Sequence, residues 1–258
     1  MLVSIKMNIK TLIHEQNSYP GLTTRKLSNK VDKVCIANQE AKKYLNGNII
    51  ETGIPIRENL KKINKNEACK KLGLSINKKT IFIVGGSQGS KFLNKYFEKT
   101  LNFYLKHNIQ IIWQCGHKNI DYYKRKINNK NILLKGFFNK IDFAYSASDI
   151  IISRAGGMAL NEIAFMEKPM ILIPLQNSAG NHQLHNAMSF YNKNAAIMIE
   201  QNDLKNNIVE KTIEKLFQNK NEMIKMAKNA NQIIIKNARD KIINEIKKLN
   251  AGIKSLKC

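Results

Sequence analysis

Residues 81–94 read IFIVGGSQGSKFLN. A short apolar run ends in two glycines, passes through a Ser-Gln-Gly turn and opens into a helical pattern. Such a strand–turn–helix aims backbone N–H groups and the positive end of a helix dipole at one spot, where an anion is favoured. The spacing fits neither common phosphate rule. A P-loop needs Lys-Ser or Lys-Thr after its last glycine, and none follows Gly89. The dinucleotide fingerprint needs GxGxxG, whereas these glycines fall at Gly85, Gly86 and Gly89. Ser87 and Gln88 could add hydrogen bonds to a ligand; a plain tight turn is the other reading.

Working outward, short apolar runs alternate with longer helical patterns, the signature of an α/β protein with a parallel sheet. Strands are expected at 11–13, 33–37, 48–50, 80–84, 110–114, 131–135, 149–153, 170–174 and 195–199. The six from residue 80 onward make one complete doubly wound unit, and the three before residue 52 make part of another. TGIPIREN, with Gly53 and Pro55, reads as the linker. Beyond residue 203 apolar residues recur every three to four positions, so the chain is expected to be helical to its end, with Met223 and Met226 on the packed face. The expected division is residues 1–52, 53–235 and a returning helix over 236–258. The chain also opens abruptly, its first strand near residue 11 having no βα unit ahead of it.

Forty-three Lys and Arg against nineteen Asp and Glu give a net charge of +24. A nucleic-acid surface is one reading of such an excess. Here it is nearly all lysine scattered among Asn and Ile (KKINKNEACKK, KRKINNKN), which reads as compositional drift rather than a patch, and no nucleic acid is expected as partner. Lysines beside an anionic membrane could still add roughly 1 kcal/mol each. No apolar run approaches the ~20 residues of a membrane span. Cys35, Cys69, Cys115 and Cys258 are scattered without a CxxC pair, which favours reduced thiols over a disulfide or zinc framework.

Two further segments follow strands in the same way. SRAGGMALNE (153–162) puts Gly156 and Gly157 before a helix that carries Glu162, a carboxylate able to accept from two neighbouring hydroxyls; a solvated helical Glu is the plainer reading. PLQNSAGNHQLHNA (174–187) is a polar loop whose Asn181, His182, Gln183 and Asn186 offer donors and acceptors suited to sugar hydroxyls, or merely local caps. All three segments sit at the carboxyl ends of strands, where open α/β sheets bind ligands.

Together with HEQNSYPGLTTRKLS (14–28), GIPIR (53–57), GFFNKIDFAYSASD (136–149) and KPMILIPL (168–175), these segments occur in an order that resembles the MurG family, bacterial N-acetylglucosaminyltransferases of peptidoglycan synthesis. The resemblance runs from about residue 9 to about 200. It implies the two-domain GT-B fold, with UDP-GlcNAc held mainly by the C-terminal domain and GlcNAc passed to a lipid-linked MurNAc-pentapeptide at the cytoplasmic face of the cell membrane. It implies that Asn17 and Arg57 reach the donor from the interdomain side and that Ser87 meets the diphosphate. Phe138 would offer its backbone to uracil. Gly157, Met158, Ala159, Leu160, Asn161 and Glu162 would lie under the nucleotide, Glu162 on the ribose, and Gln183 on the GlcNAc ring.

Three departures from the family pattern stand out. Met158-Ala159 replaces a stretch that often carries Thr or Ser, and Ile54 stands where GNPVR has Asn. No GGxGGH loop is found, so residues 1–52 are expected to be only the last part of an acceptor domain, with the family's catalytic base outside this sequence. His14 is the one histidine ahead of the linker near the expected cleft and a weak candidate for that base. The implied reaction is a direct displacement needing neither metal nor cofactor. Alternatives are another GT-B enzyme, such as a UDP-GlcNAc 2-epimerase, and a non-catalytic nucleotide-sugar or nucleic-acid binding module.

Overall fold

The computed structural model describes residues 1–254; Cys258 lies outside them. A short helix α1 (Leu2–Lys6) precedes β1 (Leu12–Glu15), α2 (Leu22–Leu27), β2 (Lys33–Ile36) and β3 (Ile49–Glu51). The short helix ahead of the first strand is not expected from the sequence. It was missed because α1 buries no residue, and only Ile5 leans on the core around Val34 and Ile36. The three strands form a parallel sheet in the order β1-β2-β3.

After the linker come α3 (Lys65–Leu72), β4 (Thr80–Val84), α4 (Lys91–Lys106), β5 (Gln110–Gln114), α5 (Ile120–Lys126), β6 (Ile132–Lys135), α6 (Ile141–Ala147) and β7 (Ile150–Ser153). Then follow α7 (Gly157–Phe165), β8 (Met170–Leu172), α8 (His182–Tyr191) and β9 (Ile197–Met198). The six strands are all parallel, in the order β6-β5-β4-β7-β8-β9. The chain winds outward from β4 in one direction, returns, and winds outward from β7 in the other. The switch point lies between β4 and β7, so the turns after these two strands stand side by side.

Both faces of this sheet are covered, which is why its strands read as unbroken apolar runs. Ile81 and Ile83 pack with Leu93, Phe97 and Tyr104 of α4 and with Val209 and Ile213 of α9 (Ile208–Gln218). Phe82 and Val84 point the other way, toward Tyr145, Leu160, Ile163 and Ala230 of α10 (Lys220–Ile233). Each such side chain, wholly removed from water, contributes roughly 2 kcal/mol. Met223 and Met226 join the first of these clusters. The strand expected to run to residue 174 ends at Leu172: Ile173 still donates to the Ser153 carbonyl, but Pro174 has no N–H to continue. Asparagine closes several helices, and seven of the eight non-glycine residues with positive φ among the described residues are Asn.

The last helix, α11 (Ala238–Lys254), lies against the three-stranded sheet. Glu245 pairs with Lys33 of β2 at 2.9 Å, both largely buried, and with Lys248 one turn on at 2.7 Å. Those two ammonium groups hold the Glu245 carboxyl below its ordinary value of 4.5. A carboxyl with a lowered folded pKa stabilises the fold above its unfolded value, and that contribution is lost as pH falls through the folded one. Glu245→Gln is therefore expected to cost on the order of 1 kcal/mol at neutral pH. Thermal melts of the two proteins from pH 7 downward should converge as the pH falls through the lowered pKa of Glu245; a constant gap would place the loss elsewhere.

Candidate functional site

The glycine turn after β4 is held by sterics as well as by its own hydrogen bond. Gly89 N–H donates to the Gly86 carbonyl at 3.1 Å, leaving Ser87 and Gln88 exposed at the tip. Gly89 has φ +74°, and a Cβ there would overlap the Cys115 carbonyl beyond β5. Only glycine fits this closeness at this angle. The helix behind the turn, α4, is capped from within, because Ser90 Oγ accepts from Leu93 N–H at 3.3 Å.

The turn after β7 is different. The N-cap of α7 is Gly156, which has no side chain to cap with. Leu160 N–H is the first to close a helical bond, onto the Gly156 carbonyl at 3.0 Å. The N–H groups of Gly157, Met158 and Ala159 therefore begin a helix with no intrahelical acceptor, the usual anion-favouring geometry. Gly157 also faces the first lobe: a Cβ there would lie 2.8 Å from the Gln16 carbonyl.

Arg154, between β7 and that turn, is only 6% exposed. Its guanidinium donates to the carbonyls of Ile173 and Pro174, each at 3.0 Å, and to Ser90 Oγ at 3.0 Å, and it lies over the Phe92 ring. None of these partners carries charge. Burial alone pulls its pKa down to about 10, so it remains a cation at neutral pH. A full positive charge thus stands at the switch point between the two turns.

Glu162, on α7, is buried and paired rather than solvated. Its Oε1 accepts from Arg57 Nε at 2.6 Å, with Arg57 Nη2 also at 2.6 Å, and its Oε2 accepts from the Tyr145 hydroxyl at 3.2 Å. Burial, reinforced by Glu162 itself, drives the Tyr145 pKa well up and keeps it a neutral donor. Arg57 reaches over from the linker and is partly exposed at the mouth of a 370 Å³ cavity with Leu60, Lys140 and Phe143.

Several expected ligand groups are engaged by the protein. Phe138 N–H donates to Gln114 Oε1 at 3.0 Å, so that backbone can present only its carbonyl to a base. The Leu160 side chain sits in the core. Asn161 Nδ2 donates to the Gly157 carbonyl at 2.9 Å, and Met158 is exposed. Gln183 Oε1 accepts from Leu175 N–H at 3.0 Å. Asn186, read from sequence as a possible sugar contact, is a joint between lobes: it accepts from Ser18 N–H at 2.8 Å and donates to Asn17 Oδ1 and to the Ala155 carbonyl, each at 3.1 Å. Asn17 is thereby spent on Asn186 and Glu15. His14 Nε2 lies 2.8 Å from the Gly53 carbonyl; that nitrogen must carry the proton, and only Nδ1 is left to act as a base.

The segments after β4, β6, β7 and β8 stand along one rim, and among the described residues no direct contact joins Ser87, Glu162 and Gln183 to one another. Glu15, Gln114, Tyr145 and Arg154 were not assigned roles from sequence. The signal was present for two of them, since Gln114 ends an apolar-centred strand and Arg154 directly follows one, where a polar residue meets the rim of the sheet.

Residues 80–246 match the model of the glycosyltransferase family 28 C-terminal domain. The chain is 37% identical over 252 residues to a Flavobacterium psychrophilum protein named UDP-N-acetylglucosamine--N-acetylmuramyl-(pentapeptide) pyrophosphoryl-undecaprenol N-acetylglucosamine transferase, covering 96% of this chain and 68% of that one. A Christiangramia forsetii protein of the same name is 36% identical over 250 residues, with the same coverage. Among solved structures, Acinetobacter baumannii MurG superposes with a TM-score of 0.72 at 25% identity, over 96% of this chain and 69% of that one. A putative UDP-N-acetylglucosamine 2-epimerase from Listeria monocytogenes shares the fold, with a TM-score of 0.70 at 16% identity. With two thirds of such relatives' length matched at this identity, and residues 80–246 fitting the family model, this chain belongs to the MurG family of N-acetylglucosaminyltransferases.

Proposed function

We propose that this chain holds UDP-GlcNAc along the rim of the six-stranded sheet and serves GlcNAc transfer to a lipid-linked MurNAc-pentapeptide at the cytoplasmic face of the membrane. The observation that carries the reading is the pairing of an uncapped helix start at Gly157–Ala159 with a buried, carboxylate-free cation, Arg154, at the β4–β7 switch point. Both favour the diphosphate, and both favour it more as negative charge gathers on it.

The acceptor's C4 hydroxyl gives up its proton to a general base and attacks the anomeric carbon, the bond to the β-phosphate oxygen breaks, and UDP departs with inversion. Donors fixed before the reaction need no reorganisation as that charge develops. Glu162 takes the ribose hydroxyls; for this, Arg57 gives up part of its hold on Oε1 and turns toward the nucleotide. Ser87 lies at the exposed tip of the glycine turn, within the reach of a diphosphate seated on it. Residues 1–52, with His14 tied to the linker, act as the wall facing the donor, and residues 53–235 as the donor-binding unit. Attachment to the membrane is peripheral: no described helix is long and apolar enough to cross one, and a +24 chain is drawn to anionic lipid.

Titration calorimetry with UDP-GlcNAc and with UDP tests the site. The wild-type chain should release heat with both, and Glu162→Ala should weaken UDP roughly tenfold to a hundredfold, the range for a lost hydrogen bond to a charged group. A chain that binds neither ligand does not have this site. The charge at the switch point is tested separately. Arg154→Met should lower affinity for UDP roughly tenfold while leaving uridine binding within about twofold. Equal losses for the two ligands would mean that Arg154 only supports the fold.

A further inference from the structure

Away from the donor residues, a groove runs along α4. Phe92, Lys95, Tyr96 and Lys99 form one stripe of that helix, spaced three and four positions apart, and Leu204 and Lys205, between β9 and α9, form the opposite wall. The cavity between them measures about 630 Å³, within the range of small-ligand sites. From Phe92 to Lys99 the stripe spans about 10 Å, room for one anionic group and a few methylenes. No residue assigned to the donor lines it.

The lining divides into two chemistries. Its floor is apolar. Phe92 is 41% exposed although Arg154 lies over its ring, and Leu204 is half-buried. Tyr96 offers only its ring, because its hydroxyl donates to Glu210 Oε2 at 2.7 Å. Its walls are cationic. Lys95, Lys99 and Lys205 are exposed, no carboxylate lines the groove, and none of the three forms an ion pair among the described residues. Glu210 does not neutralise them: it is wholly buried and held by Tyr96 and by the Tyr104 hydroxyl at 2.9 Å. Lys95 and Lys99 stand one helical turn apart, where like charges repel, and an anion between them removes that repulsion. Compositional drift accounts for scattered lysine, but not for three unpaired ammonium groups around one apolar floor. Gln201 adds a polar end. Its Nε2 donates to Gln176 Oε1 at 3.2 Å, whereas its own Oε1 is buried and has no partner among the described residues. An acceptor left in this way suits a hydroxyl beside the anion.

We propose that this groove is a second binding site, for a phosphate ester that carries an apolar chain, with the phosphate among the three lysines and the chain along Phe92, Tyr96 and Leu204. Calorimetric titration of the full chain with hexyl phosphate and methyl phosphate tests it. The two esters carry the same charge, so their ratio reads the floor alone. Hexyl phosphate should bind at least roughly tenfold tighter, since each methylene taken out of water adds about three- to fourfold. The triple variant Lys95→Gln, Lys99→Gln, Lys205→Gln should weaken hexyl phosphate roughly tenfold, as three exposed ion pairs together do. The triple variant Lys70→Gln, Lys71→Gln, Lys220→Gln removes the same charge from α3 and α10 and should change it less than about twofold. Equal affinities for the two esters, or equal losses in the two triple variants, overturn the inference. Saturating UDP should leave hexyl phosphate bound; displacement would put the ester in the donor site and overturn the inference as well. Pelleting with phosphatidylcholine vesicles containing phosphatidylglycerol separates the two sources of such an ester. A lipid headgroup predicts that the first triple variant pellets less than the second, and a soluble ester predicts equal pelleting. The ester ratio and the paired variants do not depend on UDP, so this inference and the donor-site reading fail separately.

Discussion

The rim of the sheet is organised around a cation that has no anion. Moving a charge out of water costs several kcal/mol even after the protein relaxes around it, and Arg154 meets that cost with two carbonyls, one hydroxyl and an aromatic face. These partners satisfy its N–H groups but do not neutralise its charge. A carboxylate in their place would stabilise the empty fold better and cancel the field at the switch point. The arrangement keeps the charge available to whatever anion settles between the two turns, at the expense of the unliganded protein. The same guanidinium holds Ser90, the cap of α4, so the position of the helix behind the glycine turn depends on it too.

Arg154 belongs to a layer of buried polar side chains lying just beneath the loops. Gln114 ties the turn after β4 to the turn after β6, Arg154 ties α4 to the end of β8, and Asn186 ties the turn after β7 to Asn17 and Ser18 of the first lobe. Each bridges segments that are far apart in the chain. Loops at the end of a sheet cannot be fixed by a hydrophobic core, since their ligand face must stay open. Side-chain amides and a guanidinium do the job with directional bonds, which set loop spacing more sharply than packing does and are costly to leave half-made.

The fold was legible because its physics is periodic. All nine strands fall where apolar runs predict them, and β4 and β5 match residue for residue, since buried parallel strands read as continuous apolar segments. Short β8 and β9 were overextended: Pro174 cuts the first, and β9 is an edge strand of two residues. Helix α1 was invisible because it buries nothing. Individual site residues were less legible. Glu162 stood out by its distance from a glycine pair, yet its burial against Tyr145 has no local signature, because Tyr145 lies seventeen positions away on another helix. Asn186 was placed at the right rim for the wrong purpose, as sequence does not show that the first lobe arrives opposite it. Gln114 carried a signal, a polar residue ending an all-buried strand, but a strand end is also where polar residues are ordinary.

The donor groups at this rim are already bonded to one another. Arg57 occupies Glu162, Gln114 occupies Phe138 N–H, Leu175 N–H occupies Gln183 and Asn186 occupies Asn17. A nucleotide sugar entering such a site exchanges hydrogen bonds more than it adds them, and an exchange contributes only the difference between old and new partners. Affinity must then come from groups that begin without an equivalent partner. Among the described residues these are the N–H groups at the start of α7 and the uncompensated charge of Arg154, and in the proposed site both are matched by the diphosphate rather than by the base or the sugar. Sugar and base contacts, made by exchange, discriminate between ligands while adding little to binding, because a wrong group leaves the displaced partner unsatisfied. Binding strength and selectivity are thus assigned to different atoms. In the proposed site the diphosphate is also the group whose charge grows as the glycosidic bond breaks, so the interactions that hold it there would tighten toward the transition state.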